Sequence, residues 1–526
     1  MAAERVWIGG RWRAAKAVSS FGATNPATGQ PLEGEFPVSG WQDCDEALMA
    51  SASAARALRL AEPEELARFL DLYASTIESR ADALVARAGA ETGLAISPRL
   101  RDVELPRTCT QLRQAAAAAR EGTWQSVVID TKANIRSHYA PIGPVVVMGP
   151  NNFPFAFHGV SGGDLAAAVA AGCPVIAKGH PLHPGTTQLL AECAAEALAQ
   201  TSLPPATVQM LYHIGNEDGL RLVADPRVGA TSFTGSRIGG LRLKAAADAA
   251  GRPIYLELSS LNPVVLLPGA VAERGAQLAT ELADSCLAGT GQFCTSPNLI
   301  LALAGEATER LAEELRRILE ERPAGALFSA GGLEGLDSGV RWLRSAGAEV
   351  LTGGAAAGGA GFRYKNTLLR VSGEDFLTAS GPLQHEAFGN ATMLVVANEP
   401  AELLDVIAAL EGNLTGCIYS ASQAAGDSDA SIYGTVASAL RNKVGRLLND
   451  KMPTGVALSP AMNHGGPFPS TAHPGFTAVG IPRSMLRFGA LECYDSVRPE
   501  RLPAALRDAS PNPAMGRTID GVWVKG

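Results

Sequence analysis

Val145-Val146-Val147-Met148 is the first of four short apolar segments, and the other three occupy residues 174–177, 208–212 and 229–233. Helical patterns alternate with these segments, at 162–171, 186–200, 218–224 and 238–250. Strand and helix patterns that alternate with short connections predict a parallel, doubly wound α/β sheet with helices on both faces. Ligands of such sheets bind beyond the carboxyl ends of the strands, so we expect a site at that edge.

A second alternating block predicts a second α/β domain. It begins at Pro263-Val264-Val265-Leu266-Leu267 and continues with strand patterns at 299–303, 348–351 and 393–396 and a helical pattern at 306–321. Because the chain has 526 residues, it exceeds what one hydrophobic core usually serves. Two or more domains are therefore expected.

The remaining segments are predicted to flank these two blocks. Residues 6–37 are rich in turn residues and predict short strands in a leading arm that lies outside the core. Residues 41–120 carry apolar residues at helical spacing, which predicts three or four amphipathic helices. Residues 126–139 predict a β-hairpin, and the extended tail 476–526 is expected to make subunit contacts.

Composition argues against several classes of protein. The formal net charge is −8 and no cluster of Lys and Arg offsets it, so nucleic acid is not an expected partner. The eight cysteines are dispersed without CxxC pairs, and neither a signal peptide nor an apolar run of membrane-spanning length is found. No HxxxH or HExxH arrangement occurs, so no metal site is expected. We therefore expect a cytoplasmic protein with reduced cysteines that contacts no membrane.

The segment Gly291-Gln292-Phe293-Cys294-Thr295-Ser296-Pro297 places one cysteine in a small, polar, glycine-flanked setting. The thiolate is the reactive form of cysteine, and polar or cationic surroundings help it to form whereas apolar burial hinders it. The setting therefore favours a nucleophile. Taken alone, the segment fits a buried structural cysteine equally well, because free cysteines are often buried.

Four further segments carry groups that are suited to chemistry. Glu257 follows an apolar strand pattern, where desolvation of its carboxylate would prepare it to act as a general base. The turn 149–154 holds Asn152, whose side-chain amide can donate to a developing oxyanion. Residues 233–240 predict a strand, a glycine-rich turn and a helix start that suit a phosphate, and 384–389 set a carboxylate beside an aromatic ring. Each segment also has a purely structural interpretation as a cap, a turn or a loop.

In this order and at these separations, the segments resemble those of the NAD(P)-dependent aldehyde dehydrogenase superfamily, over nearly the whole chain. The resemblance implies that Cys294 is the nucleophile, which attacks the aldehyde carbon to give a thiohemiacetal. The Asn152 amide and the Cys294 main-chain N–H would hold the oxyanion. A water activated by Glu257 would later hydrolyse the thioester, so covalent catalysis divides one difficult oxidation into two easier steps.

The resemblance also implies which residues bind the cofactor, which is NADP or NAD. Lys178 matches the lysine that holds the adenosine ribose, and Glu386 matches the carboxylate that holds the nicotinamide ribose, with Phe388 packing nearby. The remaining cofactor-binding positions are Pro150, Gly235 and Ser236, the last two against the pyrophosphate. Family members of this kind carry the cofactor on a Rossmann-type domain, which is what the first alternating block predicts.

The chain departs from the family pattern at a few positions. Pro181 stands where NAD-preferring members often carry a Glu that repels a 2′-phosphate, so NADP is admissible. Ser259-Ser260 replaces the usual Gly-Gly after the catalytic Glu and adds two side chains where backbone and cofactor approach closely. Asn390 replaces the Pro that commonly follows Phe-Gly. None of these departures removes a catalytic group.

Within the superfamily, the chain looks most like the 2-oxoglutarate semialdehyde (2,5-dioxopentanoate) dehydrogenase branch and its NADP-using relatives. The stretches that carry this likeness are 161–164, 179–186, 233–240, 262–264, 291–297 and 464–471. Members of this branch oxidise the ω-aldehyde of a short oxo acid. The likeness implies 2-oxoglutarate semialdehyde as the substrate, with His464, Ser470 and Thr471 lining the substrate mouth.

Two other interpretations stay open at this point: a broad-specificity aliphatic or fatty aldehyde dehydrogenase, and a catalytically silent cofactor-binding or structural protein. The resemblance divides the chain into a cofactor-binding domain of residues 1–125 and 140–259, a catalytic domain of residues 260–475, and a β oligomerisation arm and tail of residues 126–139 and 476–526. It also implies a homodimer or a homotetramer.

Overall fold

The computed structural model describes residues 3–422, 429–475, 477 and 479–526. Phe476, at which the predicted tail begins, lies outside these described residues. The strands are β1 Val6–Ile8, β2 Arg11–Arg13, β3 Ala17–Phe21, β4 Thr24–Asn25, β5 Gln30–Pro31, β6 Phe36–Ser39, β7 Val127–Asp130, β8 Ile135–Pro141, β9 Val145–Met148, β10 Val175–Lys178, β11 Val208–Leu211, β12 His213–Ile214, β13 Ala230–Thr234, β14 Ile254–Glu257, β15 Val264–Leu266, β16 Leu299–Leu303, β17 Glu349–Thr352, β18 Thr367–Ser372, β19 Ala391–Ala397, β20 Asn413–Tyr419, β21 Val444–Asn449, β22 Gly489–Asp495, β23 Gly516–Ile519 and β24 Val522–Lys525.

The α-helices are α1 Trp41–Leu58, α2 Pro63–Ser79, α3 Ala81–Thr92, α4 Leu105–Glu121, α5 Gly163–Ala170, α6 Pro184–Leu198, α7 Asn216–Val223, α8 Arg237–Ala249, α9 Pro268–Leu287, α10 Glu306–Glu321, α11 Ala330–Ser345, α12 Gly373–Thr378, α13 Ser380–Leu383, α14 Pro400–Ala409 and α15 Ala430–Arg441. The amphipathic helices predicted between residues 41 and 120 are confirmed as α1 to α4. Gly93 and Gly122 end α3 and α4 in the left-handed conformation, with φ of +68° and +78°, which glycine adopts without strain.

The first large sheet has the doubly wound arrangement that the first alternating block predicts. Its strands lie in the order β14-β13-β9-β10-β11-β1-β2, and the five from β14 to β11 are parallel. Helices cover both faces of the parallel strands, so β9, β10 and β11 are mostly apolar and, apart from Lys178, buried; the one buried polar residue among them is Gln209. The carboxyl ends of these strands meet at one edge.

One sequence prediction is wrong for the beginning of the chain. Residues 6–37 were expected to form an arm outside the core, yet β1 lies inside the first sheet, antiparallel to β11, with Trp7 opposite Met210. Val6, Trp7 and Ile8 are all buried. Three consecutive apolar side chains point to both faces of a strand, so only a strand covered on both faces removes all of them from water.

The second large sheet confirms the second α/β block. Its strand order is β17-β18-β19-β16-β15-β20-β21, and all neighbours are parallel except β17 and β18. Separate apolar cores lie on its two faces. The turn that carries Cys294 lies between α9 and β16, and the strand that precedes this sheet in the chain, β14, ends at Glu257.

A five-stranded sheet joins the predicted hairpin to the tail, in the order β22-β8-β7-β23-β24. β7 and β8 form the hairpin, β22 pairs with β8, and β23 runs parallel to β7. One face buries Val127 and Ile129 against apolar residues of the tail. The other face leaves Val128, Leu491 and Trp523 exposed, at 46%, 64% and 62% of their surface.

Candidate active site

The candidate site lies where the chain passes from the first large sheet to the second. Glu257 is the last residue of β14, at the edge where doubly wound sheets bind ligands. Cys294 lies in the turn between a 3₁₀ segment, Ala288–Gly291, and β16. Asn262, in the connection between the sheets, donates from Nδ2 to the main-chain oxygens of Cys294 and Ser296, each at 2.9 Å. The end of the first sheet is thereby bonded to the cysteine turn.

The cysteine turn also touches the loop that carries Glu386. Gly291 has a φ of +68°, and a Cβ at this position would lie 2.1 Å from the main-chain oxygen of Gly389. Only glycine permits both that conformation and that approach. The contact therefore holds Cys294 and Glu386 on neighbouring segments of the same site.

Cys294, which is half-buried, forms one cluster with the buried residues His464 and Glu257. His464 Nε2 lies 3.4 Å from Cys294 Sγ and 2.8 Å from Glu257 Oε1, and the three ligand-type atoms lie within 4.8 Å of one another. Burial, together with the negative charge of Glu257, raises the pKa of the Cys294 thiol well above its usual value. The resting residue is therefore a thiol, and two groups that can accept its proton lie next to it. A cysteine, a histidine and a carboxylate can also bind a metal ion, but at these distances the same groups can pass a proton between them.

Asn152 is placed beside the same turn. Its side chain is 5% exposed, and its Nδ2 donates to the main-chain oxygen of Gln292 at 3.0 Å. A side-chain amide carries two N–H donors, so this bond fixes the orientation of the amide and leaves the second donor available. Arg99 donates to the main-chain oxygen of Asn152 at 3.3 Å and so also supports this turn.

Lys178 and Glu386 have the properties expected of groups that bind a polar ligand. Lys178 ends β10, and across the described part of the chain its ammonium has no hydrogen-bond or ion-pair partner. Burial lowers the pKa of Lys178 to about 8. Burial also raises the pKa of Glu386 to about 7, although hydrogen bonds from the Ser259 side chain and the Ser260 N–H act in the opposite direction. The residues present thus fit the ribose groups of a dinucleotide cofactor.

The other predicted cofactor-binding residues are placed as follows. Ser236 is the N-cap of α8, and its hydroxyl accepts from the Gly239 N–H at 3.2 Å. The Gly235 N–H donates to the main-chain oxygen of Glu257 at 3.0 Å. Since the Ser236 hydroxyl is engaged in capping, an anion here would meet the start of α8 itself. Pro150 is buried at the end of β9, and Phe388 is half-buried.

The Ser259-Ser260 departure is accommodated inside the protein. Ser260 is buried, with its hydroxyl 2.8 Å from Asn262 Oδ1 and accepting from the Leu414 N–H at 3.0 Å. Ser259 donates to the Glu386 carboxylate. The two added side chains therefore connect Glu386 to the link between the sheets.

Two of the three residues predicted to line the substrate mouth, Ser470 and Thr471, lie beside the end of the strand that carries Glu257. Ser470 and Thr471 are buried, and their hydroxyls donate to main-chain oxygens of their own loop. The Leu258 N–H donates to the Ser470 oxygen at 2.8 Å, and Thr471 forms a β-bridge with Glu257. They hold the strand end that carries Glu257. The third residue, His464, contacts the nucleophile itself.

Arg107 and Arg446 lie near the cluster although sequence analysis did not identify them. Arg107 lies on α4 and stacks on the ring of Phe157, with its guanidinium carbon 5.5 Å from the ring centroid. The Phe157 ring lies 5.5 Å from that of His464. No local motif surrounds either arginine, so only the folded chain connects them with Cys294.

A cysteine, a histidine and a carboxylate at the ligand-binding edge of a doubly wound parallel sheet are an arrangement typical of dinucleotide-linked oxidoreductases. The model of the aldehyde dehydrogenase family matches residues 12–436. The alpha-ketoglutaric semialdehyde dehydrogenase 2 of Azospirillum brasilense is 37% identical over 518 residues, which cover 95% of each chain. The alpha-ketoglutaric semialdehyde dehydrogenase of Acinetobacter baylyi is 32% identical over 505 residues, which cover 94% of each chain. Among solved structures, an aldehyde dehydrogenase of Pseudomonas syringae, crystallised with NAD+ and octanal, superposes with a TM-score of 0.80 at 20% identity, covering 95% of this chain and 98% of the other.

The chain belongs to the aldehyde dehydrogenase family. It is accordingly an NAD(P)-dependent enzyme that oxidises an aldehyde to a carboxylic acid, and the α/β fold expected from its sequence is confirmed. No helix in the described ranges is both long and apolar enough to cross a membrane.

Proposed function

We propose that this enzyme oxidises 2-oxoglutarate semialdehyde to 2-oxoglutarate, with Cys294 as the nucleophile and Glu257 as the general base. The observation that carries the assignment of roles is the cluster in which His464 Nε2 lies 3.4 Å from Cys294 Sγ and 2.8 Å from Glu257 Oε1. The substrate follows from the relatives that align over nearly the whole chain, both of which are alpha-ketoglutaric semialdehyde dehydrogenases.

The first half of the reaction consumes the Cys294 thiol. As sulfur bonds to the aldehyde carbon, the thiol proton passes to the cluster of His464 and Glu257, and the carbonyl oxygen becomes an oxyanion. The free N–H of the Asn152 amide and the main-chain N–H of Cys294 hold that oxyanion. Bound NAD(P)+ would supply the hydride acceptor for this carbon. Once the carbon has lost its hydride and the oxyanion has collapsed, Cys294 carries a thioester.

The second half of the reaction returns the enzyme to its resting state. Glu257 removes a proton from a water that attacks the thioester carbon, and the C–S bond breaks to release the carboxylic acid. The proton gained from the thiol in the first half leaves to solvent before Glu257 acts as a base. The departing sulfur then takes the proton that Glu257 removed from water, so thiol and carboxylate are regenerated and one proton is released per turnover. His464 Nε2, which lies 2.8 Å from Glu257 Oε1, limits the positions that this carboxylate can take.

The cofactor is held, in this proposal, by Lys178 and Glu386 at its two ribose groups and by the start of α8 at its phosphates. We expect the dissociation constant of NAD(P)+ to be lowest between about pH 7 and about pH 8. Below about 7, Glu386 takes up a proton and accepts hydrogen bonds less well; above about 8, Lys178 loses its proton and its charge. On each side the affinity falls by at most about tenfold per pH unit. Titration of the cofactor without aldehyde, followed by the quenching of intrinsic fluorescence, measures the dissociation constant on the acidic and on the alkaline limb of this pH profile.

The two limbs can be separated by substitution. In Glu386→Gln the acidic limb should disappear while the alkaline limb remains, because glutamine does not titrate. An acidic limb that persists in this variant would show that another group causes it, and Glu386 would lose its assigned role.

The substrate proposal is tested by initial rates on 2-oxoglutarate semialdehyde and on a medium-chain aliphatic aldehyde, each with NAD+ and with NADP+. A steep preference for the semialdehyde supports the proposal. A rate that rises with aliphatic chain length would instead indicate a broad-specificity fatty aldehyde dehydrogenase. Cofactor binding without turnover of any aldehyde would indicate the catalytically silent alternative. The same panel decides between NAD and NADP.

We further propose that the domains follow the three sheets, with residues 1–125 and 140–259 binding the cofactor and 260–475 carrying the nucleophile. The five-stranded sheet of arm and tail would join subunits in a cytoplasmic homodimer or homotetramer. Its exposed row of Val128, Leu491 and Trp523 supports this role, since an apolar face of this kind is covered in an assembly. Light scattering of the purified protein reports the assembly, and a monomer would overturn the proposal.

A further inference from the structure

Arg107 and Arg446 approach one short loop from distant parts of the chain. Arg107, on α4, donates from Nη1 to the main-chain oxygen of Val456. Arg446, on β21, donates from Nη2 to the main-chain oxygens of Pro453 and Gly455, at 2.8 and 3.1 Å. The two guanidinium groups are therefore attached to consecutive peptide groups of the same loop, residues 453–456.

This loop lies directly against the residue that follows the nucleophile. The Gly455 N–H donates to Thr295 Oγ1 at 3.0 Å, and Thr454 Oγ1 donates to the main-chain oxygen of Thr295 at 3.4 Å. Arg107 also reaches the cluster by a second route, through the ring of Phe157 that packs on His464. Both guanidinium groups are consequently held beside Cys294, and the charge of each acts on it.

Neither cation has a counter-ion among the described residues. Arg99, a neighbour in sequence, pairs with Glu104 at 2.5 Å, and Arg487 pairs with Asp164 at 2.5 Å, whereas Arg107 and Arg446 form no ion pair in the described ranges. Each also retains a buried N–H without a hydrogen-bond partner, on Nη2 of Arg107 and on Nε of Arg446. Burial lowers the pKa of both groups, which shows that their charge is poorly solvated.

A partly buried guanidinium without a carboxylate is unfavourable, because it has lost water and gained only neutral acceptors. Two such groups on one loop form a site of concentrated positive charge with donors still to be used. An anionic ligand would supply both the missing negative charge and acceptors for the N–H groups that have no partner. The planar donors of arginine are suited to a carboxylate in particular, which they bind by parallel hydrogen bonds.

We propose that Arg107 and Arg446 form the subsite for the distal carboxylate of the aldehyde substrate. This inference rests on the proposed function, in which an ω-aldehyde reacts at Cys294 while the acid group at the other end of the short chain needs a cation. The enzyme then selects aldehydes by their far end: a neutral aldehyde leaves both guanidinium groups unpaired, whereas an oxo acid pairs them. The 453–456 loop, which is hydrogen-bonded to both arginines and to Thr295, fixes the distance between this subsite and the nucleophile.

The test compares Arg107→Gln and Arg446→Gln with the wild-type enzyme on two aldehydes, 2-oxoglutarate semialdehyde and pentanal. Each variant should lower kcat/KM for the semialdehyde by roughly 10- to 100-fold, which corresponds to one charge-assisted hydrogen-bonding group. Because the charge of each arginine also acts on Cys294, kcat/KM for pentanal should fall too, but by less, so that the ratio of the semialdehyde value to the pentanal value drops at least about fivefold. Arg113→Gln is the matched control, because Arg113 lies on the same helix and pairs at the surface with Glu78 at 2.6 Å. It should leave both values unchanged.

A second measurement separates this inference from the proposed function. Glutarate, which has two carboxylates and no aldehyde, should inhibit pentanal oxidation by the wild-type enzyme in competition with pentanal and should inhibit either arginine variant at least tenfold more weakly. If the wild type fails to oxidise the semialdehyde but this inhibition pattern is found, the proposed substrate is wrong and the carboxylate subsite stands. If the variants lose activity on pentanal as much as on the semialdehyde, or if glutarate inhibits the variants as strongly as the wild type, the arginines only support the loop and the inference is overturned.

Discussion

Cys294→Ser is expected to lower kcat for aldehyde oxidation by at least about 10⁴-fold, because the enzyme then lacks the only group placed to bond to the aldehyde carbon. A serine hydroxyl is a far weaker nucleophile than a thiol and has no partner to deprotonate it fully. His464 Nε2, which would activate the hydroxyl, lies 3.4 Å from the position of the sulfur. Because the C–O bond is shorter than the C–S bond, a serine oxygen would lie even farther from His464 and Glu257. Initial rates of cofactor reduction with saturating semialdehyde measure the loss.

The control for this variant is Cys286→Ser. Cys286 is a buried cysteine on the same segment of chain, and its Sγ lies 3.4 Å from the main-chain oxygen of Pro297, a bond that a serine hydroxyl can also make. It should keep nearly all activity. Addition of the cofactor should still quench the intrinsic fluorescence of the Cys294 variant, since its fold and its cofactor-binding groups are intact. If Cys294→Ser retains its turnover, Cys294 is not the nucleophile and the proposed mechanism is wrong.

Most of the fold could be predicted from the sequence, because buried parallel strands require unbroken apolar runs. β9, β10, β11 and β16 all lie where such runs occur. The exception, β1, is instructive. Its three apolar residues are flanked by turn residues that favour an exposed arm, and only the pairing of Trp7 with Met210, contributed by a strand far along the chain, decides that it lies inside the sheet. A long-range pairing of this kind has no local signal.

The candidate site could be predicted from sequence only in part. Cys294 and Glu257 were identified because each lies in a short segment whose pattern is informative by itself. The contact of His464 with both depends on how the chain returns to the site after the second sheet, and His464 was predicted only to lie near the substrate. Arg107 and Arg446 are two of 44 Lys and Arg residues, and only the folded chain shows that both are bonded to the loop beside Cys294 without an ion pair among the described residues. The partners of these two arginines are known only from the folded chain and have no local sequence signal.

Glu257→Gln is expected to separate the two halves of the reaction. Glutamine keeps the shape of the side chain, so its oxygen can stay beside His464 Nε2, which is 2.8 Å from Oε1 in the wild-type enzyme. It cannot remove a proton from water. The thioester on Cys294 should therefore form and then persist, so stopped-flow measurement should show a burst of reduced cofactor close to one equivalent per site. The steady-state rate after the burst should be lower than in the wild type by about 10²- to 10⁴-fold, the usual contribution of a general base.

The rate of the burst decides which group accepts the thiol proton in the first half of the reaction. In Glu257→Gln, His464 remains in contact with the sulfur at 3.4 Å, so the rate of the burst should fall much less than the steady-state rate. In His464→Gln the reverse is expected: Glu257 remains as the base for water, while the thiol, whose pKa is raised by burial and by the Glu257 charge, loses the acceptor 3.4 Å from its sulfur and the burst slows. If Glu257→Gln shows neither a burst nor a slower steady state, the water is activated elsewhere, and the carboxylate serves only to hold His464 against the nucleophile.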